Sequence, residues 1–474
     1  MGKHTIIEYF GGDSGHRCGY CGQSDSNMSH GMWAHSMTVE DYQDLIDRGW
    51  RRSGKYCYKP TMNKTCCPQY TIKCEVNKFK LSKSQKKVLK RVHKYLNSDV
   101  KPGGQKGENC DNVDADDHVS MEMACDTKVN PTENVSLSDA SPGIPIASST
   151  YVPSEKSKTP ASPAKSTDPP SSLQESKVHK NQTKTTCKKA KQLRIERWQQ
   201  KHGTTAKPKE KNQEGKSLQE FLKEISKDPS HQLELRLVRS SPRSKEFDET
   251  FQQEYSVYKK YQTVIHKDDD DKPTEKQFTR FLVDSPLEAE GSLGSFHQQY
   301  WLDGVLIAVG VIDVLPRCTS SVYLFYDPDY SFLSLGTYSA LREVEFTQSL
   351  GKRLPDLQNY YMGFYIHSCP KMRYKGNYYP SYLVCPETFG WYPIEECRPK
   401  LEAQKYCRFA DEGKVDRDGT SFNLDAVLVL HMRQAMPYAL YRAINAEADD
   451  EDEVKEYASL VGRKCAERML IYRA

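Results

Sequence analysis

The chain lacks several features, and each absence argues against a class of protein. No apolar run reaches the roughly 18 residues that a membrane-spanning helix needs, so no membrane span is expected. The first residues hold no long apolar stretch of the kind that begins a secretory signal peptide. Ile6 stands where a myristoylation motif needs serine or threonine, so that lipid anchor is not expected either. These absences predict a cytoplasmic and nuclear protein.

A strong excess of one charge is also missing. Lys and Arg number 68 and Asp and Glu number 64, which leaves a formal net charge of +4. The charge of the whole chain therefore does not indicate a nucleic-acid partner, and only local basic clusters could do so. Hydrophobic residues make up 37% of the chain, which is low for a protein that is folded throughout. Part of the chain is therefore expected to be disordered.

The composition changes along the chain and predicts three regions. Residues 1–96 hold aromatic and cysteine-rich clusters and are predicted to form a small N-terminal domain around the cysteines. Residues 97–230 are largely polar and basic and are predicted to be a disordered insert. Tyr151 is the only aromatic residue between positions 97 and 185, so this segment has little apolar surface to bury. Residues 231–474 are predicted to form the second folded domain.

Apolar spacing in the second folded region predicts strands and helices in a defined order. Strands are expected at residues 233–237, 322–326 and 360–366, with a β-hairpin at residues 300–315 that turns at Asp303 and Gly304. Helices are expected at residues 246–263, 274–282 and 334–349. This order predicts an α/β acyltransferase fold of the acetyltransferase type, with helices on both faces of a mixed sheet.

Two basic segments depart from the balanced charge. Residues 188–201 are interpreted as a localisation signal or an arm that binds a nucleic-acid backbone. Residues 83–96 are predicted to form an amphipathic helix. This helix is interpreted either as having an ordinary solvated face or as contacting phosphates. Its polar face carries Lys83, Lys86, Lys87, Lys90, Arg91 and Lys94.

The chain has 15 cysteines, and several of them cluster near its start. Cys18 and Cys21 form a C-x-x-C pair, whose tight turn aims two sulfurs at one point. Together with Cys66 and Cys67 they make four thiolates, which suit either a tetrahedral zinc ion or an iron–sulfur cluster. The adjacent pair is unusual, because neighbouring side chains diverge in an extended chain. Buried structural thiols are the alternative. Other nearby residues with ligand atoms are Cys57, Cys74, His16 and His30.

Several motifs together resemble the eukaryotic arginyl-tRNA–protein transferases. They are CGYCG with the later CC pair, FTRFLVDSPL, HQQYWLDGVLIAVGVIDVLP, SSVYLFYDPDYSFLSLGTYSALRE and YYMGFYIHSCPKMRYKG. The resemblance implies a GNAT-like C-terminal fold and transfer of arginine from arginyl-tRNA to proteins that begin with Asp, Glu or oxidised Cys. Such transfer marks the acceptors for degradation by the N-degron pathway. The resemblance also links Cys18, Cys21, Cys66 and Cys67 to metal or iron–sulfur binding.

Two other functions are alternatives to this reading. A CoA-dependent N-acetyltransferase of the same fold would need a glycine-rich loop for pyrophosphate. Residues 330–336, YSFLSLG, stand at that place with a single glycine, so CoA is not expected as the donor. A metal-containing nucleic-acid-binding regulator would account for the cysteines and basic segments. It would leave the large α/β region unexplained, and the chain has no C₂H₂ spacing.

Arginine transfer from a tRNA needs a carboxylate for the donor guanidinium and cations for an acidic acceptor. Ordinary surface charge is the alternative for each candidate. Asp313 stands out because a charge in an apolar strand needs a partner or a function. The candidate carboxylates are Asp303, Asp313, Glu343 and Glu345, and the candidate cations are Arg342, Lys371, Arg373 and Lys375.

The catalytic candidates are His297, as a proton shuttle, and Asp313. Gln298 is a candidate for binding an oxyanion or a sugar, and a packing role is the alternative for His297. The donor ester is already activated, and a free α-amine has a pKa of about 7.7–8.0, so positioning is expected to supply most of the rate. Candidate stacking surfaces for the tRNA end are Tyr300, Trp301, Tyr374, Tyr378 and Tyr379.

Overall fold

Two mixed β-sheets and the helices that cover them form the part of the chain that the structure describes. The structure is a computed structural model. It describes residues 4–13, 15–99, 101, 216–224, 228–420, 422–447 and 449–474. Most of the predicted insert 97–230, including Tyr151 and the basic stretch 188–201, lies outside the described residues.

The strands of the described ranges form one sheet of eight and one of seven. The eight-stranded sheet has the order β12-β11-β5-β10-β9-β8-β7-β6, and the seven-stranded sheet has the order β14-β13-β15-β1-β2-β4-β3. The strands are β1 (Ile6–Gly12), β2 (Ser29–Ser36), β3 (Arg51–Ser53), β4 (Tyr56–Pro60), β5 (Tyr70–Glu75), β6 (Leu233–Ser241), β7 (Gly294–Leu302), β8 (Val305–Val314), β9 (Cys318–Tyr326), β10 (Asn359–Tyr365), β11 (Ser381–Val384), β12 (Trp391–Pro393), β13 (Leu428–His431), β14 (Gln434–Pro437) and β15 (Leu470–Arg473).

The α-helices lie on both faces of the eight-stranded sheet and against the seven-stranded one. No helix in the described part of the chain is long and apolar enough to cross a membrane. The helices are α1 (Val39–Asp47), α2 (Lys83–Ser98), α3 (Leu218–Leu222), α4 (Lys245–Tyr261), α5 (Glu275–Phe278), α6 (Leu335–Gly351), α7 (Pro370–Arg373), α8 (Ile394–Ala403), α9 (Arg417–Thr420), α10 (Tyr438–Ile444), α11 (Glu451–Val461) and α12 (Arg463–Ala466).

Strand β8 shows how the eight-stranded sheet is covered on both faces. Every residue of β8 after Val305 is buried, which explains its continuous apolar sequence. Val309 and Val311 pack in the core with Phe247 of α4. Ala308, on the other face, packs with Leu341 of α6. The prediction of helices on both faces of a mixed sheet is therefore confirmed.

The two predicted folded ranges do not form separate sheets. Strand β5, from the range 1–96, lies between β10 and β11 of the range 231–474. Strand β1 likewise pairs with β15, with Ile6 opposite Leu470. The expected small N-terminal domain is thus corrected, because β5 pairs with β10 and β11, and β1 pairs with β15 on one side and with β2 on the other. Sequence patterns cannot reveal pairings between strands so far apart.

Several predicted elements are confirmed with shifts of a few residues. The basic helix begins at Lys83 after a capping box made by Ser82 and Gln85, and it ends at Ser98. The hairpin of β7 and β8 turns at Asp303 and Gly304, whose φ angles are 51° and 81°. Both residues lie in the left-handed region that such a two-residue turn requires. The Asp-Gly pair was therefore a reliable signal of the hairpin.

His231 joins the two described segments on either side of the insert. Its Nδ1 lies 2.6 Å from Asp303 Oδ2, and its Nε2 lies 2.9 Å from Asp99 Oδ1. Its ring stacks on Tyr95 with the centroids 4.5 Å apart. Asp303 was a candidate ligand for the donor guanidinium, but its carboxylate is engaged by His231 and the backbone N–H of Gln232. We name this arrangement the His231 clasp.

The His231 clasp predicts a pH-dependent contribution to stability. Hydrogen bonds to Asp99 and Asp303 raise the pKa of His231. A raised histidine pKa means that the stabilisation is complete below the unfolded value of about 6.5 and is lost as pH rises through the folded value. In urea unfolding, His231→Gln should cost stability at pH 5.5 and less at pH 8. If the loss in free energy of unfolding caused by His231→Gln is the same at pH 5.5 and pH 8, this role is contradicted.

Candidate active site

A cleft opens where strands β9 and β10 separate. The two parallel strands pair at only three positions, Cys318, Thr319 and Ser320 with Asn359, Tyr360 and Tyr361. Beyond this point, residues 321–324 of β9 and 362–364 of β10 form opposite walls of the cleft. Helix α6 forms the floor through Gly336, Ser339, Ala340 and Glu343. The cavity has a volume of about 800 Å³, counting the space open to solvent.

A bulge in β10 accounts for the separation of the strands. The register of β10 against β5 shifts between Tyr361 and Phe364. Gly363 within this bulge has a φ of 65°, a left-handed conformation that favours glycine. A bulge bends the strand that carries it, so β10 turns away from β9 while it keeps its pairing with β5. The cleft is therefore built into the sheet.

Glu343 places a buried carboxylate at the floor of the cleft. The residue is 1% exposed, and Tyr360 Oη donates a hydrogen bond of 2.7 Å to its Oε2. Burial raises the pKa of Glu343 to about 7, against hydrogen bonds from Tyr360 and Ser321 that lower it. Gly310 of β8 leaves room for the carboxylate, because a Cβ there would lie 3.0 Å from Oε1. No cation within the described residues forms an ion pair with Glu343, so a cationic ligand would meet an uncompensated carboxylate.

Aromatic side chains surround the rest of the cleft. Tyr374, Tyr378 and Tyr20 line it together with Phe364 and Lys375. Lys375 Nζ donates to the carbonyl oxygen of Phe364 at 3.2 Å. Lys375 is the one residue of the predicted cationic set that lines the cleft. The predicted candidates Glu343, Tyr374 and Tyr378 lie there too, whereas no sequence signal pointed to Tyr20.

His297 does not lie at the cleft. Its side chain is fully buried, with Nδ1 2.5 Å from Glu254 Oε2 and Nε2 3.1 Å from the carbonyl oxygen of Leu282. Both ring nitrogens are thus engaged within the core between β7 and α4. The predicted role as a proton shuttle is therefore corrected to a structural one.

Asp313 is also buried away from the cleft. Arg52 of β3 binds it with two hydrogen bonds, Nη2 to Oδ1 at 2.6 Å and Nε to Oδ2 at 2.8 Å. The two side chains are 1% and 0% exposed, and Ser295 Oγ donates to Asp313 Oδ1 at 2.7 Å. The expectation that a charge in this strand needs a partner was right. The predicted catalytic role is corrected, because the partner is a structural arginine.

The other predicted substrate ligands lie outside the cleft lining. Tyr300 Oη donates to Gln298 Oε1 at 2.7 Å, and both side chains are buried in β7. Arg342 Nε donates to Tyr338 Oη at 3.0 Å, and Glu345 accepts a hydrogen bond from Ser349. Arg373 pairs with Glu402. Lys371 lies on α7 beside the cleft residue Met372.

The four predicted cysteines converge on one point. The sulfurs of Cys18, Cys21, Cys66 and Cys67 all lie within 4.8 Å of one another. The Cys18 segment turns back on itself through a hydrogen bond from Gly22 N to Cys18 O at 2.8 Å, and Cys66 N donates to Ser26 O at 2.9 Å. Cys66 and Cys67 occupy a bend, so their side chains do not diverge as they would in a strand.

The remaining candidate metal ligands do not join this group. Cys57 and Cys74 are buried in separate hydrophobic cores. His16 Nε2 lies 3.0 Å from Asn27 Nδ2, and His30 Nδ1 lies 3.1 Å from Tyr9 Oη. Within the described residues, the candidate ligand set is thus the four sulfurs. A backbone hydrogen bond lowers the pKa of Cys21 to about 7, which favours the thiolate that a metal binds.

The cysteine group adjoins the cleft. Tyr20 stands between Cys18 and Cys21 in sequence and lines the cleft. Cys18 and Cys67 pack in one apolar cluster with Phe364 and Met372, which are also cleft residues. The loop that carries the sulfurs therefore forms part of the cleft wall.

Two parts of the chain match known families. Residues 16–87 match the family described as arginine-tRNA-protein transferase, N terminus. Residues 253–385 match the family described as arginine-tRNA-protein transferase, C terminus. The first range contains the four cysteines and Tyr20, and the second contains Glu343 with both walls of the cleft.

Whole-chain relatives agree with these matches. The chain is 44% identical over 490 residues to arginyl-tRNA–protein transferase 1 of Drosophila melanogaster, covering 98% of this chain and 99% of that protein. It is 35% identical to arginyl-tRNA–protein transferase 1 of Arabidopsis thaliana, covering 86% and 76%. A match at 38% identity joins 32% of this chain to 57% of an aspartate/glutamate leucyltransferase of Pseudomonas aeruginosa. The chain belongs to the arginyl-tRNA–protein transferase family.

Proposed function

We propose that this protein transfers arginine from arginyl-tRNA to the α-amino group of other proteins in the cleft between β9 and β10. The acceptors begin with Asp, Glu or oxidised Cys, and the arginine marks them for N-degron degradation in the cytoplasm and nucleus. The observation that carries the proposal for this site is Glu343, a buried carboxylate without a cationic partner among the described residues, at the floor of a largely apolar and aromatic cleft.

The cleft matches an arginine side chain in shape and charge. Arginine has an aliphatic stem and a planar guanidinium that binds a carboxylate with two hydrogen bonds and stacks on aromatic rings. Met362 and Leu324 offer apolar walls for the stem, and Tyr378 offers an aromatic one. The Glu343 carboxylate lies at the buried end of the cleft, where it can bind the guanidinium. Binding such a cation favours the ionised form of Glu343 and offsets the cost of burying it.

The reaction needs alignment more than strong acid–base chemistry. The neutral α-amine attacks the carbonyl carbon of the arginyl ester and forms the new C–N bond. The bond from this carbon to the ribose oxygen breaks, the amine gives up one proton, and the ribose oxygen takes up one proton, either directly from the amine or by exchange through solvent, and leaves as a hydroxyl. A neutral fraction of amine exists near pH 7 because its pKa is about 7.7–8.0. Holding ester and amine together in the cleft is thus the main catalytic contribution.

The strands and helices around the cleft also suggest which fold the enzyme has. We propose that β6–β10 with α4 and α6 form the GNAT-like core of the enzyme. Two features support this assignment. Strands β6 to β9 are antiparallel, and β9 is followed by the parallel strand β10, which separates from it after three paired positions. Residues 328–333 form a short 3-10 helix before α6. Since the segment leading into α6 holds no glycine-rich turn for pyrophosphate, tRNA rather than CoA is proposed as the donor.

Helix α2 supplies the basic surface that the tRNA needs. Lys83, Lys87, Lys90 and Lys94 are exposed along one side of it, while Val88 and Leu89 pack in the core. We propose that these lysines contact phosphates of the tRNA and that cleft tyrosines stack on its single-stranded end.

The cysteine group fits a metal centre. Zinc–sulfur bonds of about 2.3 Å in a tetrahedron place the sulfurs about 3.8 Å apart, which suits sulfurs that lie within 4.8 Å of one another. An iron–sulfur cluster would use the same thiolates, with the sulfurs moved apart. The bound group would fix the loop that carries Tyr20.

Metal analysis of protein purified without oxygen tests this centre. We expect either one zinc ion per chain, or iron with acid-labile sulfide and a visible absorption band, and loss of either in Cys67→Ser. Cys57→Ser, which removes a sulfur outside the group, should keep the metal. A protein that holds neither metal nor cluster and remains folded would refute the metal centre.

The transfer reaction itself is tested with two labelled donors. Arginyl-tRNA and acetyl-CoA would be offered to matched peptides that begin with Asp, Asn or Ala. We expect arginine transfer to the Asp peptide alone. Transfer from acetyl-CoA only would favour the acetyltransferase alternative and refute the proposal.

A further inference from the structure

A second cavity lies apart from the cleft and shares none of its lining residues. It occupies about 310 Å³, counting space open to solvent, between β4, β5 and the loop after β11. Lys59 of β4 and Thr71 of β5 line it, and they are 8% and 2% exposed. We call it the Lys59 pocket. A buried cation and a buried hydroxyl in one cavity call for an explanation, because both are costly to bury without partners.

Lys59 is incompletely satisfied within the described residues. Its Nζ donates one hydrogen bond, to the carbonyl oxygen of Arg48, and forms no ion pair with a carboxylate. Its other contact is with Phe389, whose ring centre lies 4.2 Å away. An ammonium has three N–H donors, so two remain available. Burial and the nearby Arg48 lower the pKa of Lys59 well below its usual value, and Asp416 offsets this only in part.

Thr71 supplies a second unused donor at the same place. Its Oγ1 is buried and has no hydrogen-bond partner in the described part of the chain. A Cβ on Gly49 would lie 3.9 Å from Thr71 Oγ1 and 4.0 Å from Lys59 Nζ. Both polar atoms therefore border one space, and glycine at position 49 keeps that space open.

Arg48, the other cation that lines the pocket, already forms ion pairs. Arg48 donates to Asp416 Oδ2 at 2.6 Å and lies 3.5 Å from Asp418 Oδ2. Both nearby carboxylates are therefore held by Arg48, and neither forms an ion pair with Lys59. A carboxylate ligand would give Lys59 the direct ionic partner that it lacks.

We propose that the Lys59 pocket binds a carboxylate, with one oxygen on Lys59 Nζ and the other on Thr71 Oγ1. A carboxylate has two oxygens, which match the two donors, and its charge suits Lys59, the cation of the pocket without an ion pair among the described residues. A phosphate would leave further oxygens against the apolar walls formed by Met62, Val384 and Phe389. The carboxylate can come from a free small acid or from the acidic side chain of a peptide.

Binding experiments on the full chain test the pocket without any transfer reaction. The probes are sodium acetate, inorganic phosphate and sodium chloride at equal ionic strength, and peptides that begin with Asp or Asn. Thermal unfolding midpoints and titration calorimetry measure their binding. Acetate should raise the midpoint above that in chloride, and phosphate should not match it. If the Asp peptide binds more tightly than acetate and the Asn peptide, and Lys59→Met removes the difference, the carboxylate comes from a peptide. If acetate binds and the two peptides bind equally, the carboxylate comes from a free acid.

Two variants locate the effect. Lys59→Met keeps the aliphatic stem and removes the ammonium, and Thr71→Val keeps the shape and removes the hydroxyl. Each should weaken carboxylate binding at least tenfold, and Thr71→Val serves if Lys59→Met fails to fold. Phosphate binding as tight as acetate binding, or unchanged acetate binding in a folded variant, would overturn the proposal. Because no tRNA is present, failure here leaves the transfer proposal untouched.

Discussion

Replacing Glu343 by Gln should lower arginine transfer by roughly 30-fold to several thousand-fold, because it removes the carboxylate that we assign to the donor guanidinium. This range corresponds to the roughly 2–5 kcal/mol typical of breaking a buried, hydrogen-bonded charge pair. Glutamine keeps the shape and can still accept from Tyr360, so the fold should survive. The measurement is kcat/KM for arginyl-tRNA with an Asp-starting peptide.

The pH dependence separates this role from a structural one. Burial raises the pKa of Glu343 to about 7, so the side chain is mostly neutral below that pH and ionised above it. Affinity for a non-reactive donor with an amide in place of the ester should therefore rise with pH up to about 7 and level off above it, and Glu343→Gln should lose this rise. Glu345→Gln, on the same helix but outside the cleft lining, is the matched control. Equal losses in both variants would contradict the assignment.

Replacing Arg52 by Met should lower the free energy of unfolding by roughly 3–5 kcal/mol, because it leaves the Asp313 carboxylate buried without its partner. Chemical denaturation measures the loss. The double variant Arg52→Met with Asp313→Asn removes the unpaired charge and should recover part of the stability. A loss below about 1 kcal/mol in the single variant would contradict the account, since that is the range of exposed pairs.

The same pair distinguishes a structural Asp313 from a catalytic one. Asp313→Asn should reduce stability, while transfer per folded molecule stays near the wild-type level. If the Asp313→Asn protein is folded and its transfer rate falls as far as that of Glu343→Gln, Asp313 has a catalytic role and the structural assignment is wrong.

Local features of the fold were predictable because they depend on neighbouring residues. Apolar spacing and a Ser82 cap mark the helix that begins at Lys83, and Asp303 with Gly304 marks a hairpin turn. Cys18 and Cys21 mark half of the four-cysteine group for the same reason. In each case the physical signal lies within a few positions of the chain.

Long-range contacts account for the predictions that failed. Asp313 was correctly identified as a charge that needs a partner, but its partner Arg52 lies 261 positions away. His297 is likewise satisfied by Glu254, which no pattern connects to it. Tyr20 lines the cleft from the N-terminal range, whose strand β5 pairs with β10. Spacing along a chain carries no information on such contacts.

The location of the donor site is tested most directly by hydrogen–deuterium exchange with a non-reactive donor mimic, adenosine carrying arginine through a 3′-amide. Binding of this mimic in the cleft should slow exchange in residues 321–324 of β9, 362–364 of β10 and 336–343 of α6, and leave β6 unchanged. The leucyl analogue, which lacks a guanidinium for Glu343, should protect these segments less. Protection confined to the β7–β8 hairpin, or equal protection by both analogues, would contradict the claim that this cleft binds the donor arginine.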